Sequence, residues 1–310
     1  MQLWFVVGLT ILLARDTRVI QRASMQHQIE QAASGFAGVM GLAAKNLLTG
    51  EEIVVNADAR YPTASTIKTA VMIEAYHQAA EGRISLDSRV TLRAADKVGG
   101  SGVLTAMADG ADLTMRDLIH LMIVLSDNTA TNMLVTRLGT RRIDDRLVSY
   151  GLEQTKIFRP TFRDGRADVF PELEREFGLG MTTPREMARL MALIAEGRAV
   201  NAVASAEMLA TLRRQQDRGM VPRFLPADEI EVGNKTGTDS EKLPDASGRR
   251  GSIRADAAIV TGPRMKYVIA IFTRRGTDAR VGIDNEALVA GARISRMVFD
   301  HFAHVGATGK

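Results

Sequence analysis

The chain has no cysteine in its 310 residues. That absence excludes thiol nucleophiles, disulfide staples and thiolate metal sites together. Aromatic residues are scarce, at 5%, and no stripe interleaves them with basic side chains. Nucleic acid is therefore not an expected partner. Five histidines are present, but they form no H-E-x-x-H pattern, and His301 and His304 have no third ligand in sight. Metal catalysis is not expected. Internal repeats, phosphate-binding loops and low-complexity tracts are missing too. No apolar run is long enough to span a bilayer comfortably.

The composition that remains is that of an ordinary globular protein, 45% hydrophobic and 25% charged. The length suits one large domain or two modest ones. The net charge of +4 is spread along the chain, which favours anionic ligands in general. At the N-terminus, Leu3 to Ala14 is short and mostly apolar and is followed by Arg15. Residues 1–23 are accordingly read as a secretory signal or a short anchor, although no basic residue precedes the run and no A-x-A site follows it. Export to the periplasm or medium is expected, with no further membrane contact.

Patterning divides the rest. Helical spacing covers Met25 to Ala33. Gly38 to Ala44 and Glu52 to Asn56 read as strands joined by the turn Leu48-Thr49-Gly50-Glu51. Helices are expected from Ser65 to Glu81, over Leu113 to Leu125 with Thr114 as a cap, from Asn128 to Leu138, and from Pro184 to about Glu196. Strands return at Ala257 to Val260 and Tyr267 to Phe272 around Gly262-Pro263, and Ile283 to His304 closes the chain as a helix. The expected fold is α/β (α+β). An antiparallel sheet, flanked by helices, is built from 25–62 and 202–310, with a mostly helical region, 63–201, inserted. A single catalytic unit covers 25–305.

Three short motifs stand in one order. In Ser65-x-x-Lys68 the two side chains lie one helical turn apart on the same face. A serine hydroxyl needs a base to become a nucleophile, and a buried lysine with a lowered pKa can be that base. The helix start also offers backbone N–H groups to an oxyanion. Chance gives about one S-x-x-K in a chain this long, but only on the order of 0.1 for each of the tripeptides Ser126-Asp127-Asn128 and Lys235-Thr236-Gly237.

Together these residues resemble the class A β-lactamases and the related penicillin-binding proteins. The resemblance runs from about Met25 to Phe302 and includes Gly99 to Leu104 and Thr182-Thr183-Pro184. It implies a serine hydrolase, a β-lactamase opening the β-lactam amide through an acyl-enzyme on Ser65. Lys68 would move the proton and Ser126 would relay it to the departing nitrogen. Asn128 would hold the side-chain amide, Lys235 and Thr236 the substrate carboxylate, and the N–H groups of Ser65 and Thr238 the oxyanion. Asp127 would orient the turn. The implied partner is a β-lactam or peptidoglycan-like small molecule, with no cofactor and a monomeric chain. Arg254, and Arg274 or Arg275, are candidates to assist the substrate carboxylate, but surface charge is the preferred reading of each.

One element of the family pattern is missing. The deacylating glutamate of class A enzymes precedes the Thr-Thr-Pro helix. Matching Pro171-Glu172-Leu173 to that loop puts Phe170 in its place, whereas counting back from Pro184 lands near Ala167. Glu172 is the candidate substitute base, with Glu174 and Asp168 as alternatives. A solvated charged stretch is the preferred reading of Glu172, Glu174 and Glu176. Absence of an effective base would instead imply a D-alanyl-peptide carboxypeptidase-like enzyme or a slow-deacylating β-lactam binder or sensor.

Overall fold

The computed structural model describes residues 23–307, with side chains to residue 304. The segment read as signal or anchor thus lies outside the described residues but for its last position. Among the described residues, no helix is long and apolar enough to cross a membrane.

A first helix, α1 (23–34), leads into β1 (Val39–Asn46) and β2 (Glu52–Val55). These join β8 (Glu231–Ser240), β9 (Ser252–Gly262) and β10 (Met265–Gly276) in a five-stranded antiparallel sheet of order β2-β1-β10-β9-β8. Both chain ends therefore build one sheet. The period of two along each strand explains its two faces. Tyr267, Ile269 and Ile271 face a cluster with Ile29 of α1 and Val298 and Phe302 of α9 (Glu286–Ala307). Val268, Ala270 and Phe272, on the other face, enter the larger core with the remaining helices. Each fully buried isoleucine of β10 stabilises the fold by about 1.5–3 kcal/mol.

Between the two halves of the sheet run β3 (Tyr61–Pro62), a 3-10 turn (Ala64–Ile67) and α2 (Lys68–Ala80). They are followed by β4 (Arg89–Thr91), β5 (Asp112–Thr114), α3 (Met115–Val124), α4 (Asn128–Leu138) and α5 (Thr140–Ser149). The segment ends with β6 (Lys156–Ile157), α6 (Pro171–Phe177), β7 (Gly180–Thr182), α7 (Pro184–Ala195) and α8 (Ala202–Leu212). The caps expected from sequence are in place: Thr114 accepts from Asp117 N, and Thr183 accepts from Glu186 N with Pro184 behind it. Gly139 ends α4, but α5 then starts at once.

Three departures matter for the site. The segment from Ser65 does not start as an α-helix, because Ala64 (φ 43°) opens a 3-10 turn and α2 begins at Lys68. β9 and β10 extend well past the apolar runs that signal them, since pairing continues through Thr273↔Arg254. α7, although it belongs to the inserted region, packs against β1, β9 and β10.

Candidate active site

β3 is short, but it pairs with β7 through Tyr61↔Thr182, and Thr63 N donates to Gly180 O at 2.9 Å. That anchor delivers the chain to Ala64 and Ser65. A left-handed backbone at a non-glycine residue costs about 1–2 kcal/mol, and the contacts around Ala64 hold it. Gly237 of β8 is pressed against this turn: a Cβ there would lie 2.9 Å from Thr63 O and 3.1 Å from Ser65 N. β8 is an edge strand, so N–H groups on its outer side are free of ladder bonds. The turn and that edge together set the backbone around Ser65. Ser65 lies in that 3-10 turn, and Lys68 follows it as the first residue of α2.

The second segment is the joint between α3 and α4. Ser126 is left-handed (φ 54°), and the buried Asp127 holds it there. The Asp127 carboxylate accepts from Ala130 N (2.9 Å), Val103 N (2.7 Å) and Leu104 N (2.9 Å). It thereby caps α4 and ties the 99–104 loop to it. The same loop returns the contact, with Ser101 Oγ donating to Ser126 O at 2.7 Å and Asn128 N to Ser101 O at 3.0 Å.

Lys68 is fully buried. Its Nζ lies 2.8 Å from Ser126 O, 3.1 Å from Ser126 Oγ and 2.8 Å from Asn128 Oδ1. Burial first, and then the nearby Lys235 ammonium, push its pKa well below the ordinary lysine value, with Asp127 opposing. Lys235, also fully buried, is the third arm. Its Nζ is 3.1 Å from Ser126 Oγ and 2.8 Å from Thr236 O. Burial lowers its pKa to about 8, against the pull of Asp217 and Asp256. The Ser126 hydroxyl therefore stands 3.1 Å from each of two amines.

Ser65 is half-buried at a cleft of about 300 Å³, lined also by Ala64, Gly100, Ser101, Asn128 and Thr238. The facing wall comes from the loop after β6: Arg159, Thr161, Phe162 and Asp164. Thr236 is buried beside Lys235, under the cleft, while Thr238 is exposed. Arg254, opposite Thr238 across β8–β9, is 4% exposed, which corrects its reading as a surface charge. Its guanidinium donates to the carbonyls of Ile253 (2.8 Å), Arg280 (2.9 Å) and Asp239 (3.4 Å). Arg274, by contrast, is taken up by Glu241 and Glu176. Register, invisible in a single sequence, was the signal that sets Arg254 apart.

The expected deacylation base fares differently. Glu172 is exposed on the first turn of α6 and is absent from the cleft lining. Glu174 is buried against Arg159 at 2.7 Å and also accepts from Gly165 N, and Asp168 accepts from Thr140 Oγ1 at 2.6 Å. Both carboxylates brace the loop. The stretch of this loop that lines the cleft with Ser65 is 159–164, and neither Ala167 nor Phe170 reaches it. There the residue turned inward is Thr161, whose backbone and hydroxyl are held by Asn132. The carboxylates lining the cleft are Asp164 and Asp239. Asp164 pairs with Arg159 and, at 3.7 Å, with Lys242, which also reaches Asp239 at 3.3 Å. The Lys242 side chain runs so close over Gly178 that a Cβ there would meet its Cε at 2.5 Å.

A half-buried serine at a cleft, a buried lysine with a lowered pKa in the next turn, a hydroxyl bridging two lysines and an edge strand against the serine's turn are the features of a serine acyl-transfer enzyme of the penicillin-interacting kind. The comparisons agree: the Beta-lactamase enzyme family matches residues 24–302, and the chain belongs to that family. Beta-lactamase CARB-3 of Pseudomonas aeruginosa is 24% identical over 296 residues, covering 94% of this chain and 93% of the relative. A β-lactamase from Sphaerobacter thermophilus is 31% identical, with a TM-score of 0.76 over 91% of this chain and 98% of that one. PBP-A is 28% identical at the same TM-score, over 91% and 96%, and a variant of it was solved as an acyl-enzyme with penicillin G.

Proposed function

We propose that the protein is a class A-like serine β-lactamase that opens the β-lactam amide through an ester on Ser65. The observation that carries this is the Ser126 hydroxyl, 3.1 Å from both Lys68 Nζ and Lys235 Nζ, beside a cleft that opens at Ser65. Neutral Lys68 takes the Ser65 proton as Oγ attacks the carbonyl carbon, and the oxyanion forms against the N–H groups of Ser65 and Thr238. The proton passes from Lys68 through Ser126 to the ring nitrogen as the C–N bond breaks. Lys235, Thr236 and Arg254 receive the substrate carboxylate, and Asn128 the side-chain amide. Lys235 in its charged form serves twice, attracting that carboxylate and keeping Lys68 neutral.

Thr161 supports a second reading of the later step. Where the family places a carboxylate on the loop facing the serine, this chain has a hydroxyl locked to Asn132, and Glu172 points to solvent. Deacylation is then slower than acylation, and a D-alanyl-peptide carboxypeptidase-like or β-lactam-trapping role follows. A mass-spectrometric time course with a penicillin, against a Ser65→Ala control, tests both. Ester at Ser65 that turns over supports the β-lactamase. Ester that persists supports the second reading, and no ester removes both. We further read residues 1–23 as an export signal and the chain as a monomer, checked by N-terminal sequencing of secreted protein and by light scattering.

A further inference from the structure

The lysines, the serines and Asn128 account for the floor of the cleft, but one side of its mouth is aromatic and so far has no task. Phe162 lines the cleft yet is 59% exposed, and its ring makes no aromatic or cation–π contact among the described residues. Its backbone is left-handed at φ 55°, a conformation that a bulky side chain avoids unless its surroundings impose it. Here they do, because the preceding residue, Thr161, is fixed to Asn132 on both its N–H and its C=O. The ring is thus held out over the cleft at a conformational cost that brings no burial in return.

The position of the ring is fixed by Gly100. A Cβ on Gly100 would lie 2.7 Å from Phe162 Cζ and 2.5 Å from Asn128 Nδ2. The edge of the ring and the Asn128 amide accordingly meet over the same glycine, and any side chain at position 100 would push them apart. We propose that Phe162 is a specificity-determining residue that stacks on the acyl side chain of the substrate and favours a flat, aromatic one. This inference rests on the β-lactam-reactive reading, in which Asn128 engages the side-chain amide. A group carried by that amide then falls on the Phe162 ring, where aromatic faces pair well. Phe162 does not touch the reacting atoms, so its loss leaves the acyl-transfer step itself intact.

The test compares benzylpenicillin with 6-aminopenicillanic acid, which lacks the whole acyl side chain, both the aromatic ring and the amide carbonyl, and so offers Phe162 nothing to stack on. Second-order acylation constants are measured for the wild type, Phe162→Ala, Phe162→Gly and Phe162→Tyr. Expected is a loss of about tenfold for benzylpenicillin in the Ala and Gly variants, as for a lost aromatic pair. The 6-aminopenicillanic acid constant stays within about twofold and Phe162→Tyr matches wild type on both compounds. Phe162→Gly, which relieves the left-handed strain, is expected to melt no lower than Phe162→Ala. Equal losses on both penicillins would mean that the ring merely shapes the cleft, and no loss on either would mean that it faces solvent idly; either result overturns the proposal. A wild type that neither compound acylates overturns the β-lactam reading itself, and is told apart because it shows before any variant is compared.

Discussion

Asn132 and Thr161 are locked together by three hydrogen bonds: Thr161 N and Oγ1 donate to Asn132 Oδ1 at 2.7 and 2.9 Å, and Asn132 Nδ2 donates to Thr161 O at 3.1 Å. This clasp fixes Thr161 of the loop after β6 in the cleft that Ser65 also lines. It also makes position 161 a rigid mount for a different side chain. Thr161→Glu is expected to raise the deacylation rate of a penicillin ester by roughly 10²-fold or more, the usual scale of general-base help, while acylation changes little. Stopped-flow and mass-spectrometric decay of the ester measure it. An unchanged decay would mean that water is activated elsewhere.

The two lysines predict a pH profile for acylation. Lys235 titrates at about 8 in the free protein, and the acylation constant is expected to fall as pH rises through that value, because the ammonium that holds the substrate carboxylate is lost. On the acid side the rate falls when Lys68 takes up a proton. Its depressed pKa places that limb far below the ordinary lysine range. Lys235→Arg, which stays charged, moves the alkaline limb upward. An acylation constant flat from pH 7 to 10 in the wild type would contradict this.

Asp127 is expected to matter for stability as much as for rate. Replacing it with alanine strands the N–H groups of Ala130, Val103 and Leu104. Bonds to a charged acceptor contribute about 1.5–3 kcal/mol each, partly recovered by water, so a loss of about 3 kcal/mol is expected. Acylation of the still-folded fraction falls too, since Ser126 and Asn128 lose their frame. Denaturant melts and acylation assays of Asp127→Ala check both.

Asp144 gives a pH signature unconnected with the cleft. Its Oδ1 accepts from Ile157 N at 2.9 Å while its buried Oδ2 has no partner. Burial raises its pKa to about 7. The folded state then binds a proton that the unfolded chain releases near 3.8, so this group costs stability progressively as pH rises from about 4 to 7. Asp144→Asn keeps the acceptor without the charge. It is expected to melt higher than wild type at pH 8, with little difference at pH 4; thermal melts at the two pH values decide.

Much of the architecture was legible because it rests on local rules. Thr114, Thr183 and Pro184 announce helix starts, Gly139 the end of α4, and the alternation in Tyr267 to Phe272 a two-faced strand. Ser65, Lys68, Ser126 and Lys235 were legible as motifs, and only folding could bring the two lysines together on the Ser126 hydroxyl. The loop from Phe158 to Phe177 was illegible for a physical reason. Its course is set by Asn132 and Thr140 from other segments and by the Arg159–Glu174 pair across the loop itself, contacts that no count along the chain registers. Glu174 illustrates the limit: beside Glu172 and Glu176 it reads as another solvated carboxylate, yet it is 4% exposed and braces Arg159. Arg254 was misjudged in the opposite sense, since its burial depends on a strand pairing fixed across the sheet.

Lys242, threaded over Gly178 to reach both Asp164 and Asp239, couples two stretches of chain that carry none of the acyl-transfer groups. The rim from 159 to 164 and the hairpin connection beyond Ser240 are consequently free to change only in concert. Lengthening that connection, or swapping the lysine for a short side chain, would reshape the entrance without touching a reacting atom. Which molecules are admitted is in this way partly decided by a tether far from Ser65 in sequence.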